Sequence, residues 1–194
     1  MKPIIFSTPM VQAILAGRKT QTRRVLKPQP VIDAHGMWLW KDFQWMDGGL
    51  GFPASGIEDY APYKPGDILW ARETWSPVQV LPKRYLYKAD AENGGEGDGL
   101  PIRWRPSIHM PREAARLFLR VTDVRVERLQ NISAEDCEAE GHFETAPVEP
   151  RPRSWFSEVW DARNAKRGYG WDSNPWVWVY TFERITKEEA EHGH

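Results

Sequence analysis

Residues 17–24 read Gly17-Arg18-Lys19-Thr20-Gln21-Thr22-Arg23-Arg24, four cations and two hydroxyls within eight positions. A short apolar segment stands directly before them. Ser7 or Thr8 supplies a helix cap, Pro9 suits a first turn, and Val11, Ile14 and Leu15 recur at helical spacing. Gly17 marks the stop. The cations therefore begin where a helix ends and sit at a fixed angle to the core, which a disordered basic tail would lack. The helix dipole favours cations at a carboxyl end, which accounts for Arg18 and Lys19. It does not call for two interleaved threonines.

Outward from this run, the composition sets bounds. A chain of 194 residues suits one domain with a sizeable core and is short for two. The net charge of -1 argues against coating nucleic acid by overall charge, so such contact requires a local patch. The single cysteine, Cys137, excludes an internal disulfide framework and fits a reducing compartment. No apolar run suits a signal peptide or a membrane span, so a cytoplasmic location without membrane contact is expected. Eleven tryptophans are expected mostly to fill the core and cover loops, with one or two left for a ligand.

Farther along, Val25 to Pro30 reads as extended. Residues 31–62, with Trp38, Trp40 and Trp45 alternating with other residues, read as an irregular hairpin or insertion. Tyr63-Lys64-Pro65-Gly66-Asp67 is a turn, followed by the strand Ile68-Leu69-Trp70-Ala71. Arg72-Glu73-Thr74-Trp75 then stands at a strand end, where side chains project into a cleft. Tyr85-Leu86-Tyr87 predicts another strand, and the glycines between Asn93 and Gly99 a surface loop. Leu117, Leu119 and Val121, then Val124, Val126 and Leu129, predict strands with a bend or bulge at Thr122-Asp123. Ser133 caps a helix from Ala134 to about Glu140, with Asp136 near the capping-box position, and Gly141 ends it. Pro147 to Pro152 reads as a spacer. Phe156, Val159 and Trp160 mark an amphipathic helix that breaks near Gly168. Residues Trp176 to Glu183 are the clearest strand, and residues 187–194 read as a charged, flexible tail.

The run at 17–24 resembles the Gly-x-Lys-x-x-Thr-x-Arg signature of the ASCH domain, a family related to the RNA-binding PUA fold. The turn and strand at 63–71 and the acidic helix ending Ala134-Glu135-Asp136-Cys137-Glu138-Ala139-Glu140-Gly141 are similar to the same family, and the chain looks like its phage and prophage members. The resemblance implies an α+β fold, a PUA-like mixed β-barrel with flanking short helices. It forms one domain over residues 1–186, which contains the insertion at about 31–62, and the strand at 176–183 closes the barrel.

Lys19 and Thr22 lie three apart and share a face on a continuing helical turn. A threonine hydroxyl attacks only when a base takes its proton, and a neutral lysine amine can do so. Arg18, Arg23 and Arg24 favour that neutral form. An exposed basic turn whose threonines bond the backbone explains the same residues. One ASCH branch hydrolyses N4-acetylcytidine, and the resemblance then implies Lys19 as base, Thr22 as nucleophile and Glu140, ahead of Glu138, as the acid that lets the amine leave. Other members imply a non-catalytic reader of RNA or a modified nucleobase, or a ribonuclease. A phage accessory protein that binds a host protein through residues 31–62 is a further alternative.

Arg24, from the signature, and Arg72, Glu73 and Arg112 are expected to hold the substrate, with Arg103 a further phosphate contact. Trp75 and Trp104, with Tyr87, are candidates to stack on a base. Each also reads as core aromatic or surface charge. His109, between apolar neighbours, reads as structural. His35, His109 and His142 lack metal-ligand spacing, and no phosphate-cradling glycine motif occurs, so neither metal nor cofactor is expected.

Overall fold

The computed structural model describes residues 1–41, 43–46, 57–78, 84–91, 102–142 and 151–192. The first half of the described chain runs β1 (Lys2–Ile5), α1 (Thr8–Leu15), β2 (Gln21–Val25), β3 (Val31–Ile32), β4 (Met37–Trp40), β5 (Phe43–Met46) and β6 (Ile68–Arg72). It continues through β7 (Trp75–Val78), β8 (Arg84–Tyr87), β9 (Phe118–Arg128), α2 (Ala134–Ala139), α3 (Pro152–Asn164), β10 (Trp176–Ile185) and α4 (Lys187–His192).

The long alternating stretch around residue 120 becomes β9, the spine of a five-stranded mixed sheet ordered β1-β6-β9-β10-β2. Only β1 and β6 pair in parallel; the other neighbours are antiparallel. Thr181 opposes Asp123 while Phe182 opposes Val121, so Thr122 is the extra residue of a bulge at the expected bend. Leu119, Val121, Val124 and Val126 are buried with Trp178, Tyr180 and Phe182 of β10 and with Val11 and Ile14 of α1. This burial is the main favourable term holding the sheet to its helix. On the other face, Leu129, Cys137, Val177 and Val179 pack against Phe156 and Trp160 of α3. The fold is therefore α+β.

Among the described residues the sheet does not close into the expected barrel. Its end strands β1 and β2 are not paired. The Arg24 guanidinium lies between them, its Nη2 donating to the Ile5 carbonyl at 2.9 Å. β10, expected to close the sheet, is its inner strand between β9 and β2.

The region 31–62 holds a small antiparallel sheet, β3-β4-β5, with residues 42 and 47–56 outside the described set. It is tied to the main core. The Trp38 ring meets Trp176 edge-on at 6.0 Å and Trp40 meets Trp178 at 6.3 Å. The glycine run between 93 and 99 lies outside the described residues, as do residues 143–150, which include the first four of the proline-bounded spacer, and the tail's last two residues.

Residues 187–192 are helix rather than frayed tail. The Thr186 hydroxyl accepts from the Glu189 amide while the Glu189 carboxylate accepts from the Thr186 amide, a reciprocal cap. Ala190 is buried with Trp70, Ala115, Phe118 and Ile185. Among the described residues, no helix is long and apolar enough to cross a membrane.

Candidate functional site

The cationic run is stitched into three elements. Gly17 takes φ +73° and turns the chain off α1, after which the Arg18 and Lys19 amides both donate to the Ala13 carbonyl. The Thr20 amide donates to Ala139 at the end of α2, and the Thr20 carbonyl accepts from Phe182 of β10. Gln21 then begins β2, so Thr22, Arg23 and Arg24 are strand residues and not a helical turn or loose loop.

Lys19 and Glu140 meet, although 121 positions separate them. Lys19 Nζ donates to Glu140 Oε2 at 2.5 Å, to the Glu140 carbonyl at 2.9 Å and to the Gln21 carbonyl at 2.7 Å. Three acceptors take the three ammonium protons. The side chains are 0% and 3% exposed, so the pair is shut from solvent. Burial pushes the Lys19 ammonium below its ordinary value, with Arg24 and Arg23 adding to the fall and Glu140 opposing it.

Side chains alternate along β2 and divide the signature between two faces. Arg23 turns toward α2, where it binds Glu127, Asp136 and Glu140 at 2.7, 2.7 and 3.3 Å. Burial alone would lower its pKa; the three carboxylates outweigh that and raise it. Thr22 and Arg24 face the other way, and Thr22 stands opposite Tyr180. The Thr22 hydroxyl is buried, with no hydrogen-bond partner among the described residues. Lys19 and Glu140 are thus brought together, while Thr22 makes no hydrogen bond to either.

Beside Arg24 a cleft of about 580 Å³ opens between the unpaired edges of β1 and β2, walled by the end of α3. Arg24, Lys27, Arg72, Arg163 and Arg167 line it together with Arg23, whose buried guanidinium is taken up by its carboxylate partners; among the described residues no carboxylate lines it. Arg24 Cζ stacks 5.4 Å from the Phe6 ring centre, and Lys27 lies 5.1 Å from that of Tyr169. Arg72 donates twice to the Met110 carbonyl, at 3.1 and 3.0 Å, which holds its fork at the rim. Burial lowers the pKa of Arg24 and of Arg163 from the ordinary guanidinium value, since carboxylates near enough to offset it are few. Tyr63, Tyr169 and Trp160 supply the aromatic part of the wall.

The remaining expected contacts do not line this cleft. Glu73 is buried and clamped by Arg116 Nε and Nη2 at 3.0 and 3.1 Å; burial raises its pKa although Arg116 opposes the rise. Trp75 is buried against Tyr85, with Arg105 at 5.4 Å from its ring, and is a packing residue. The Tyr87 hydroxyl donates to the Ala114 carbonyl, and its ring carries Arg116 at 3.9 Å. Trp104 is half-buried; Arg103 and Arg112 are exposed, the latter reaching Met1 Sδ at 3.3 Å. Glu138 is exposed on α2, and Lys19 Nζ bonds Glu140 and Gln21 rather than Glu138. His109, expected as structural, is exposed, and His142 packs edge-on against Trp155.

The sequence reading missed Lys27, Arg163 and Arg167. The signal for Arg163 and Arg167 was the cluster Arg163, Lys166 and Arg167 at the carboxyl end of the predicted amphipathic helix, where Asn164 also falls in the cleft wall; Lys27 carried none.

Fold and site together define an α+β protein with a cation-lined cleft between two sheet edges. No family model matches the chain, and no curated protein matches it. Among solved structures, protein EF3133 from Enterococcus faecalis V583, of family-model DUF984, is similar over 94% of this chain and 73% of its own, at 14% identity. Its TM-score is 0.43, a likeness too loose to bear on fold or function.

Proposed function

We propose that the protein is a PUA-like module that binds RNA or a nucleotide in the cleft between β1 and β2. One observation carries this reading: besides the ion-paired Arg23, five cations and, among the described residues, no carboxylate line an open cleft in a chain whose net charge is -1. Charge concentrated in this way attracts a polyanion locally where the whole molecule would not. Tyr63 and Tyr169 offer ring surface beside the cations, which suits an unpaired base better than a duplex. The approach of β1 and β2 across Arg24 supports the PUA-like reading, as a barrel opened at one seam. Fluorescence anisotropy with a labelled single-stranded RNA checks this. The Arg72→Ala, Arg167→Ala double variant should weaken binding by about tenfold or more; an unchanged affinity overturns it.

A second reading is hydrolysis of an acylated cytosine-type nucleoside. It is favoured by the lowered pKa of Lys19 and by the buried hydroxyl of Thr22, which has no hydrogen-bond partner among the described residues. For Lys19 to take the Thr22 proton, its bonds to Glu140 and Gln21 must first open, since all three ammonium protons are donated there. Incubation with N4-acetylcytidine and with short RNAs, followed by mass spectrometry, reads deacylation, strand cleavage or neither.

A further inference from the structure

The cleft continues past Arg24 into a second hollow of about 620 Å³ with a different wall. Arg24 and Arg163 belong to both spaces. Beyond them the cations and hydroxyls come from three separate parts of the chain: Thr8 from the start of α1, Thr74 and Lys88 from the β7–β8 ribbon, and Ser107 from the turn that follows. The Lys88 amide donates to the Thr74 carbonyl at 2.9 Å, which fixes two of these rim residues to each other. Among the described residues, no carboxylate lines the hollow.

Resting on the RNA or nucleotide reading above, we infer that this hollow is a phosphate subsite, taking the terminal phosphomonoester of the ligand held in the main cleft. Three cations and four hydroxyls, Ser7 included, offer more donors than the two free oxygens of a phosphodiester can use. A phosphomonoester presents three oxygens and close to two negative charges at neutral pH. The cations are also short of compensation. Arg163 Nη1 donates to the Val159 carbonyl and Nη2 to Ser7 Oγ, both neutral acceptors. Lys88 is exposed, and its ammonium makes no hydrogen bond or ion pair among the described residues. Burial depresses Arg24 and Arg163, which an incoming dianion would reverse. Ser7, at the cap of α1, spends its hydroxyl on Arg163 and makes no cap hydrogen bond, and the first turn carries no acid. The start of α1 therefore adds to the positive field.

The test compares one single-stranded RNA sequence in three forms: 5′-phosphate, 3′-phosphate and neither, measured by isothermal titration with the whole protein. One phosphorylated end should bind about tenfold tighter than the unphosphorylated strand, and Lys88→Ala should remove most of that gain. The same variant should leave the unphosphorylated strand's affinity unchanged, because Lys88 does not line the main cleft. Inorganic phosphate should compete away the gain alone. Equal gains at both ends that survive Lys88→Ala mark general charge attraction and overturn the subsite while the RNA reading stands. Failure of all three strands to bind overturns both.

Discussion

Lys19 and Thr22 are neighbours in the signature, yet their burial makes opposite demands on the protein. Lys19 fills a site with three acceptors, one of them the Glu140 carboxylate. Removing its charge leaves Glu140 with Arg23 at 3.3 Å as its remaining ion-pair partner. Truncating one member of a buried pair costs about 3–5 kcal/mol. Lys19→Met should lose stability on that scale in urea unfolding. The pH dependence carries a sign. The folded chain holds the Lys19 proton less tightly than the unfolded chain, whose value is about 10.5. Between the lowered folded value and 10.5 the unfolded state binds more protons, so stability rises with pH across that window. The stability gap between the natural chain and Lys19→Met should therefore widen as pH approaches 10.5 and then level off. Thr22 is the reverse case. Its hydroxyl is buried without a hydrogen-bond partner among the described residues, so Thr22→Val, of the same shape, should change stability by less than about 1 kcal/mol. RNA affinity should also hold. Only a hydrolase would lose its turnover, so this one variant separates the two functional readings by mass spectrometry.

At the scale of elements, the site depends on how α1, α2 and β2 meet, and two glycines mark that junction. Both have positive φ, but their surroundings differ. A Cβ on Gly141, at φ +105°, would stand 3.0 Å from Ala13 Cβ and 3.4 Å from Lys19 Cβ. A Cβ on Gly17, at φ +73°, would meet nothing within 4 Å. Gly17→Ala should cost only the backbone strain, about 1 kcal/mol. Gly141→Ala adds overpacking against α1, a further ~1–3 kcal/mol, and should also weaken RNA binding by shifting the start of β2. Thermal unfolding and anisotropy on both variants check the contrast. These elements were legible in the sequence because their signals are local. The Ser7-to-Gly17 pattern, the Ser133 cap, which accepts from the Asp136 amide, and the alternation through β9 each need only near neighbours. The fate of Lys19 to Arg24 was not legible as a turn or strand. Its conformation is set by β10 and α2, whose pairings lie more than a hundred residues away. The same holds for α4. Its charge looks like a tail, while burial of Ala190 against Trp70 and Phe118 depends on a sheet the local sequence does not show.

For the whole molecule, the balance between charge and aromatic contact decides how a ligand is held. Of the eleven tryptophans, most were expected in the core and only one or two, Trp75 and Trp104 among the candidates, at a ligand. The fold puts Trp38, Trp40, Trp70, Trp160 and Trp178 under 9% exposure inside packed clusters, and Trp75, a stacking candidate, with them. Sequence composition could count these rings but could not place them, since burial depends on distant pairings. The cations were equally hidden: Arg24, Arg72 and Arg163 are scattered along the chain and converge only where β1, β2 and α3 meet. A negative total and a positive cleft together predict binding that is local and salt-sensitive. Three phosphate contacts on a single strand give a slope of about -2 in log K against log salt. The whole-surface term should be small, because the remaining surface is net acidic and repels the strand. Arg72→Ala should flatten the slope by about 0.7, one contact's share, whatever the RNA sequence. Arg112→Ala, exposed and outside the cleft, should leave it unaltered. Affinity measured across a salt series with these two variants distinguishes the cleft from diffuse attraction. A slope that both variants change alike would put the phosphates on the general surface. A slope near zero with tight binding would return the weight to Tyr63 and Tyr169, the rings that do line the cleft.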